Sequence, residues 1–239
     1  MGGELLEYKI GNLAFEGYVA KPAKLDGLKP LVVIIHQFSG RQPKQEDYVA
    51  DKLASLGYIA FAADLYGKGV RGNSMEESVA LMKPFIENRS LILERMTEVF
   101  KVAQNIPNID KNKIAAVGYC FGGKAVLDAA RANFGFLGVT SIHGVYDPIP
   151  DSRFTDPIKP KVQILHGYDD PICPPDKTIA LCDELTARKA DWQLVAYSNT
   201  GHAFSHETSF HVTTNTGYSQ SADRRSWLAF TNFLSELFG

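Results

Sequence analysis

An α/β fold, with a mostly parallel, twisted sheet covered by helices on both faces, is what this sequence predicts, on three observations. Strand-like segments alternate with helix-like ones along nearly the whole chain, the pattern that feeds a parallel sheet. The central strands are continuous apolar runs, as at 31–35 (Leu-Val-Val-Ile-Ile), which suits burial on both faces. The length of 239 residues suits one large domain, 1–239, better than two small ones.

Taken in order, residues 5–10 and 13–20 read as two strands joined at Gly11-Asn12. After the strand at 31–35, Tyr48, Val49, Leu53 and Leu56 fall at helical spacing, and Gly57 is the stop. Residues 58–63 form another buried strand, closed by Asp64-Leu65-Tyr66-Gly67. Ser74 is a helix N-cap, with Glu76 and Glu77 in the first turn. Pro84 and Asn88 interrupt that pattern and predict two helices. Strands follow at 114–119, 137–143 and 161–166, then a helix at 175–189, a last strand at 192–197 and a closing amphipathic helix at 221–238. The stretch from His143 to Lys161 leaves no room for a large lid domain.

Composition narrows the function classes. Net charge is −2, which offers no attraction to nucleic acid or to an anionic membrane surface. The apolar runs are too short to span a bilayer, and the N-terminus has no charged-then-apolar leader pattern. Cys120, Cys173 and Cys182 cannot all pair and have no C-x-x-C spacing, so neither a disulfide framework nor a metal site is expected. A free cysteine used for chemistry fits a reducing, cytoplasmic setting. No cofactor motif is present, and the sequence is silent on oligomeric state.

The most informative segment is Gly118-Tyr119-Cys120-Phe121-Gly122-Gly123, set between an apolar strand and a small-residue helix. This is the strand–turn–helix of a nucleophile elbow, G-x-C-x-G, with cysteine where many hydrolases carry serine. Its glycines let strand and helix approach closely, and a helix N-terminus favours a thiolate. Two further motifs follow in the order an α/β-hydrolase fold needs. His166-Gly167-Tyr168-Asp169-Asp170-Pro171 offers a carboxylate after a strand, and Thr200-Gly201-His202-Ala203-Phe204 offers a loop histidine after the last strand. Backbone N–H groups of Phe121 and of Phe38, or of its neighbour Gln37, would form the oxyanion hole.

These residues resemble the dienelactone hydrolase family of cysteine-dependent α/β-hydrolases. Asp64 through Gly67 and the segment from Tyr218 to Trp227 extend the resemblance. It implies Cys120 as nucleophile, Asp170 rather than Asp169 as the acid (four residues before Pro174) and His202 as base, acting on a small-molecule ester or lactone. The family often has a glutamate after the third strand that pairs with the resting cysteine. The matching position here is Gln37, and an amide cannot trade protons, so a standing thiolate–imidazolium pair between Cys120 and His202 is expected instead.

Arg71, Arg89 and Arg95 are candidates to hold a substrate carboxylate, with a solvated helix face as the plainer reading for the last two. Gln37 is a candidate substrate contact. His36, His143 and His166 crowd the strand ends, where His36 could order the oxyanion loop and the others could pack loops. His206, His211 and Tyr218 read as surface loop that could shape one pocket wall. Cys173 and Cys182 read as small buried apolar residues.

Overall fold

The computed structural model describes residues 2–149, 154–207 and 216–239. Strands β1 (Glu4–Ile10) and β2 (Leu13–Ala20) form an antiparallel hairpin, closed by the Ile10–Leu13 pair and by Gly11 at φ +58°. They flank a parallel array of β3 (Lys29–Ile35), β4 (Ile59–Ala63), β5 (Ile109–Tyr119), β6 (Gly138–Ile142), β7 (Lys161–Gly167) and β8 (Trp192–Tyr197). The strand order is β1-β2-β4-β3-β5-β6-β7-β8, and only the β1–β2 and β2–β4 pairings are antiparallel.

Helices α1 (Tyr48–Ser55), α2 (Met75–Glu87), α3 (Arg89–Ala103), α4 (Phe121–Arg131), α5 (Pro175–Ala187) and α6 (Gln220–Phe238) cover the sheet. The two-residue side-chain period of the strands divides the apolar residues into two cores. Leu31, Val33, Ile35, Phe61 and Ala116 pack with α3 and α4 on one face. Val32, Ile34, Ala60, Ala62 and Val117 pack with α1 and α6 on the other. That double burial is why these strands read as unbroken apolar runs.

Two details depart from the sequence reading. Pro84 does not break its helix. It lies inside α2, where it forgoes one backbone donor, and the break falls at Asn88 alone. Asn88 is extended (φ −126°, ψ 90°) and caps α3 by accepting from the Ser90 N–H at 3.2 Å. β5 also begins earlier than its apolar run, at Ile109, with a register irregularity against β3.

From β3 the chain steps to β4 on one side, then crosses to β5 on the other side of β3 and runs on through β6, β7 and β8. The carboxyl ends of β3 and β5 therefore border the point where open α/β sheets form their ligand crevice. Among the described residues no helix is long and apolar enough to cross a membrane.

Candidate active site

The elbow follows from its glycines. A Cβ on Gly118 would lie 2.0 Å from the Gly122 carbonyl oxygen, and one on Gly122 would lie 2.2 Å from the Ile35 carbonyl oxygen. With no side chain at either position, β5 turns into α4 within one residue. That residue is Cys120, held at φ 53° and ψ −111°, a conformation that costs a non-glycine residue about 1–3 kcal/mol. Its N–H donates to the Ile142 carbonyl at 3.1 Å, so β6 helps to hold the turn. The Cys120 side chain is half-buried.

Asp170 and His202 meet beside it. The Asp170 amide donates to the Gly167 carbonyl at 3.1 Å, and its Oδ1 accepts from the Ile172 N–H at 2.8 Å. Its Oδ2 is thereby aimed at His202 Nδ1, 2.7 Å away, with both side chains buried. Asp169 is exposed, and its backbone N–H donates to the Thr200 carbonyl at 2.9 Å. A Cβ on Gly167 would strike the Gly201 carbonyl oxygen at 2.3 Å, so that glycine lets the two loops touch.

With Nδ1 on Asp170, the buried Nε2 of His202 has no hydrogen-bond partner among the described residues, and Cys120 acts on the ring through its charge. Burial disfavours a charged ring, but the charge of Cys120 and the bond to Asp170 outweigh it and raise the His202 pKa to about 10. His143 and His206 pack against this centre, the His143 ring centroid lying 5.3 Å from that of His202 and 5.4 Å from that of His206. His143 Nε2 bonds Ser205 Oγ at 2.8 Å. Burial, together with the positive charge of His202, pushes His143 well down and His206 to about 4, so both rings stay neutral beside a charged one. His206 is not surface loop as expected. It is buried under Tyr119, because the turn from His202 to His206 folds back on itself through a His206 N–H to Ala203 carbonyl bond. His211 lies outside the described residues.

The loop after β3 is fastened on every side. The Gln37 carbonyl accepts from His36 Nδ1 and from the Gly40 N–H, and the Phe38 carbonyl accepts from the Tyr66 hydroxyl at 3.0 Å. Gly40 sits at φ +85°, where an added Cβ would meet the Val70 carbonyl oxygen at 2.9 Å. Phe121 supplies the first N–H of α4, which has no acceptor within the helix. Tyr66 was not singled out in sequence as a site residue; its only signal was the Asp64-Leu65-Tyr66-Gly67 segment. Burial, then the negative charges of Cys120 and Asp64, push its hydroxyl pKa up, so it stays a neutral donor. Its ring joins His36, Phe85 and Phe121 in an aromatic wall beside the cysteine.

Glu46 also escaped the sequence reading. It lies buried in a π-helical turn, Pro43–Asp47, that follows this loop. Its Oε2 accepts from the Gln42 N–H at 2.7 Å, whereas Oε1 has no partner among the described residues. Burial raises its pKa to about 7, against the backbone N–H groups of Gln42 and Gln37 that favour the charged form.

The proposed substrate contacts fare differently. Gln37 is buried, and its side-chain amide donates to Gln45, so it faces the π-helical turn. Arg71 donates through Nε to the Arg41 carbonyl at 2.5 Å, and its guanidinium stands 3.8 Å from Glu16. Arg89 corrects the expectation of a free anion binder. It is bound through two nitrogens to Asp128, a fully buried carboxylate that draws in cations wherever the fold supplies them, Arg131 included. Arg95 lies over the Phe15 ring and pairs with Glu94 rather than facing solvent.

His166 bonds the Tyr146 hydroxyl at 3.1 Å and Thr178 Oγ1 at 3.2 Å. Cys173 is buried, donates to the Gly144 carbonyl and has its pKa pushed up to about 12 by burial, whereas Cys182 is only half-buried. Among the described residues no three His, Cys, Asp or Glu side chains group so as to hold a metal.

The sequence profile of the dienelactone hydrolase family matches residues 15–238. A protein from Synechocystis, provisionally named a carboxymethylenebutenolidase, is 26% identical over 81% of this chain and 82% of its own. One from Escherichia coli K12 with the same provisional name is 26% identical over 82% and 75%. Among solved structures, a dienelactone hydrolase-like promiscuous phosphotriesterase from metagenomic libraries superposes with a TM-score of 0.92 at 28% identity, covering 99% of this chain and 98% of that one. With a profile match across nearly its whole length and the elbow, sheet order and strand-end loops described above, this chain belongs to the dienelactone hydrolase family and is a hydrolase of esters or lactones.

Proposed function

We propose that the chain hydrolyses a carboxylic ester or lactone by two-step acyl transfer, with Cys120 as nucleophile, His202 as acid and base, and Asp170 as the group that orients His202. The observation that carries this reading is the 2.7 Å bond between His202 Nδ1 and Asp170 Oδ2, which fixes the ring's tautomer, together with the elbow cysteine near enough for its charge to act on the ring.

The Cys120 sulfur attacks the carbonyl carbon, and the carbonyl oxygen becomes an oxyanion facing the N–H groups of Phe38 and Phe121. The C–O bond to the leaving group breaks, and His202 hands its proton to the departing oxygen. Electrostatics favours that transfer. The negative charge of Cys120 is the largest influence raising the His202 pKa, and thioester formation removes it. The ring then yields its proton readily and is left neutral to take one from water. Water adds to the thioester, the C–S bond breaks, and the thiolate–imidazolium pair is restored. A thioester intermediate favours activated carbonyls over amides, because thiolate leaves more easily than a poor alkoxide or an amide nitrogen. A working thiolate also fits a cytoplasmic setting.

The test is steady-state turnover on a dienelactone, aliphatic lactones, aryl esters and a thioester, with wild type run beside Cys120→Ala. Turnover past one equivalent that falls by about 10⁴ or more in the variant supports the reading. Activity that survives in Cys120→Ala overturns it.

A further inference from the structure

The carbonyl of Gln37 and the N–H of Phe38 belong to one peptide unit, so whatever grips the carbonyl also acts on the N–H. His36 Nδ1 lies 2.6 Å from that carbonyl oxygen, and the Gly40 N–H donates to it at 3.2 Å. The tautomer of His36 is determined by its second contact. The Leu65 backbone N–H donates to Nε2 at 3.1 Å, so Nε2 is the acceptor and the ring proton sits on Nδ1. His36 is fully buried and stacks edge-on with Tyr66 at 4.7 Å between centroids. Burial lowers its proton affinity, and the Arg41 and Arg71 charges act in the same direction. The ring is therefore a neutral, one-directional link from the β4 end to the oxyanion loop.

Two donors on one peptide carbonyl draw density from the amide and strengthen the N–H dipole at its far end. The next peptide is held as well, by the Tyr66 hydroxyl on the Phe38 carbonyl. No hydrogen bond from the Phe38 N–H is seen among the described residues. We propose that His36 is a positioning residue of the oxyanion hole, whose Nδ1–H holds and polarises the Gln37–Phe38 peptide so that the Phe38 N–H meets the developing oxyanion. This rests on the reading of Phe38 as an oxyanion donor in acyl transfer by Cys120.

A residue that merely fills space would slow every substrate alike. The discriminating probe is the pre-steady-state acylation rate on an aryl oxoester and on its thionoester, whose C=S sulfur accepts hydrogen bonds poorly. His36→Phe keeps an aromatic ring but loses the bond. It is expected to slow oxoester acylation by about 10–100-fold, short of the roughly 10²–10³ seen when an oxyanion donor is removed outright, with the thionoester rate little changed. His36→Asn places an amide N–H near the Nδ1 position and is expected to recover most of the oxoester rate. An equal loss on both esters, or no loss in His36→Phe, overturns the proposal.

Should the variants not fold, long-range ¹H–¹⁵N correlation on the wild-type protein reads the same link. A His36 ring protonated on Nδ1 is expected, and one protonated on Nε2 refutes it. Cys120→Ala, run in the same assay, keeps the two ideas apart. Acylation that persists without Cys120 removes the parent reading, whereas Cys120-dependent acylation indifferent to His36 removes only this one.

Discussion

The Asp170 carboxylate reaches His202 Nδ1 at 2.7 Å across thirty-two residues of chain, with both side chains shut off from water. The remaining Asp170 oxygen is occupied by the Ile172 N–H, so the carboxylate has one free direction, and His202 lies in it. This orientation makes the first prediction specific. Asp170→Asn should lower kcat by about 10⁴ with little change in fold, because the amide presents a donor to Nδ1 and favours the wrong tautomer. Steady-state kinetics beside circular dichroism checks this; a loss under tenfold would refute an orienting role.

The raised His202 pKa depends first on the negative charge at Cys120. Replacing that charge with a neutral hydroxyl in Cys120→Ser leaves burial less opposed, so the His202 pKa should fall from about 10. NMR titration of the ring nitrogens reads it directly. An unchanged value in Cys120→Ser would rule out a standing thiolate–imidazolium pair.

Glu46 predicts a pH-dependent stability. Its pKa is about 7 in the fold against 4.5 for a free carboxyl, so the folded state keeps the proton that the unfolded chain gives up. This contribution is fully present below pH 4.5, declines as pH rises, and is lost above about 7, where burying the ionised group costs about 3 kcal/mol at most. Glu46→Gln should therefore gain stability relative to wild type at pH 8 but not at pH 4. Thermal unfolding at the two pH values decides it, and a gain of the same size at both would contradict the assignment.

The Tyr66 hydroxyl bond to the Phe38 carbonyl can be removed alone. Tyr66→Phe should cost about 1 kcal/mol of stability. It should also lower kcat by about tenfold with little change in KM, since in the proposed mechanism the bond holds the loop that donates to the oxyanion. A rise in KM at constant kcat would instead make Tyr66 a plain substrate contact.

Gly118→Ala places a Cβ 2.0 Å from the Gly122 carbonyl oxygen, which has no room to retreat between β5 and α4. Loss of several kcal/mol and of activity is expected, and denaturant unfolding measures it. A folded, active Gly118→Ala enzyme would mean that the elbow relaxes far more than its packing indicates.

Much of this was legible from local sequence. Apolar runs such as 31–35 mark strands buried on both faces because every side chain there has a core to enter. Gly118 and Gly122 announce the elbow because a side chain on Gly118 would strike the Gly122 backbone and one on Gly122 would strike that of Ile35. Tertiary structure decided the rest, since electrostatic partners come from distant parts of the chain. Asp169 and Asp170 are adjacent carboxylates told apart in sequence only by the family resemblance, and the fold buries Asp170 against His202. Arg89 looks free on its helix until Asp128, thirty-nine residues on, takes its guanidinium. Glu46 and Tyr66 sit in unremarkable polar and turn segments, and they gain their properties from the loop after β3 folded against them. Side-chain periodicity and glycine sterics act within a few residues and can be read in order along the chain. Burial and charge pairing depend on what the completed sheet brings together.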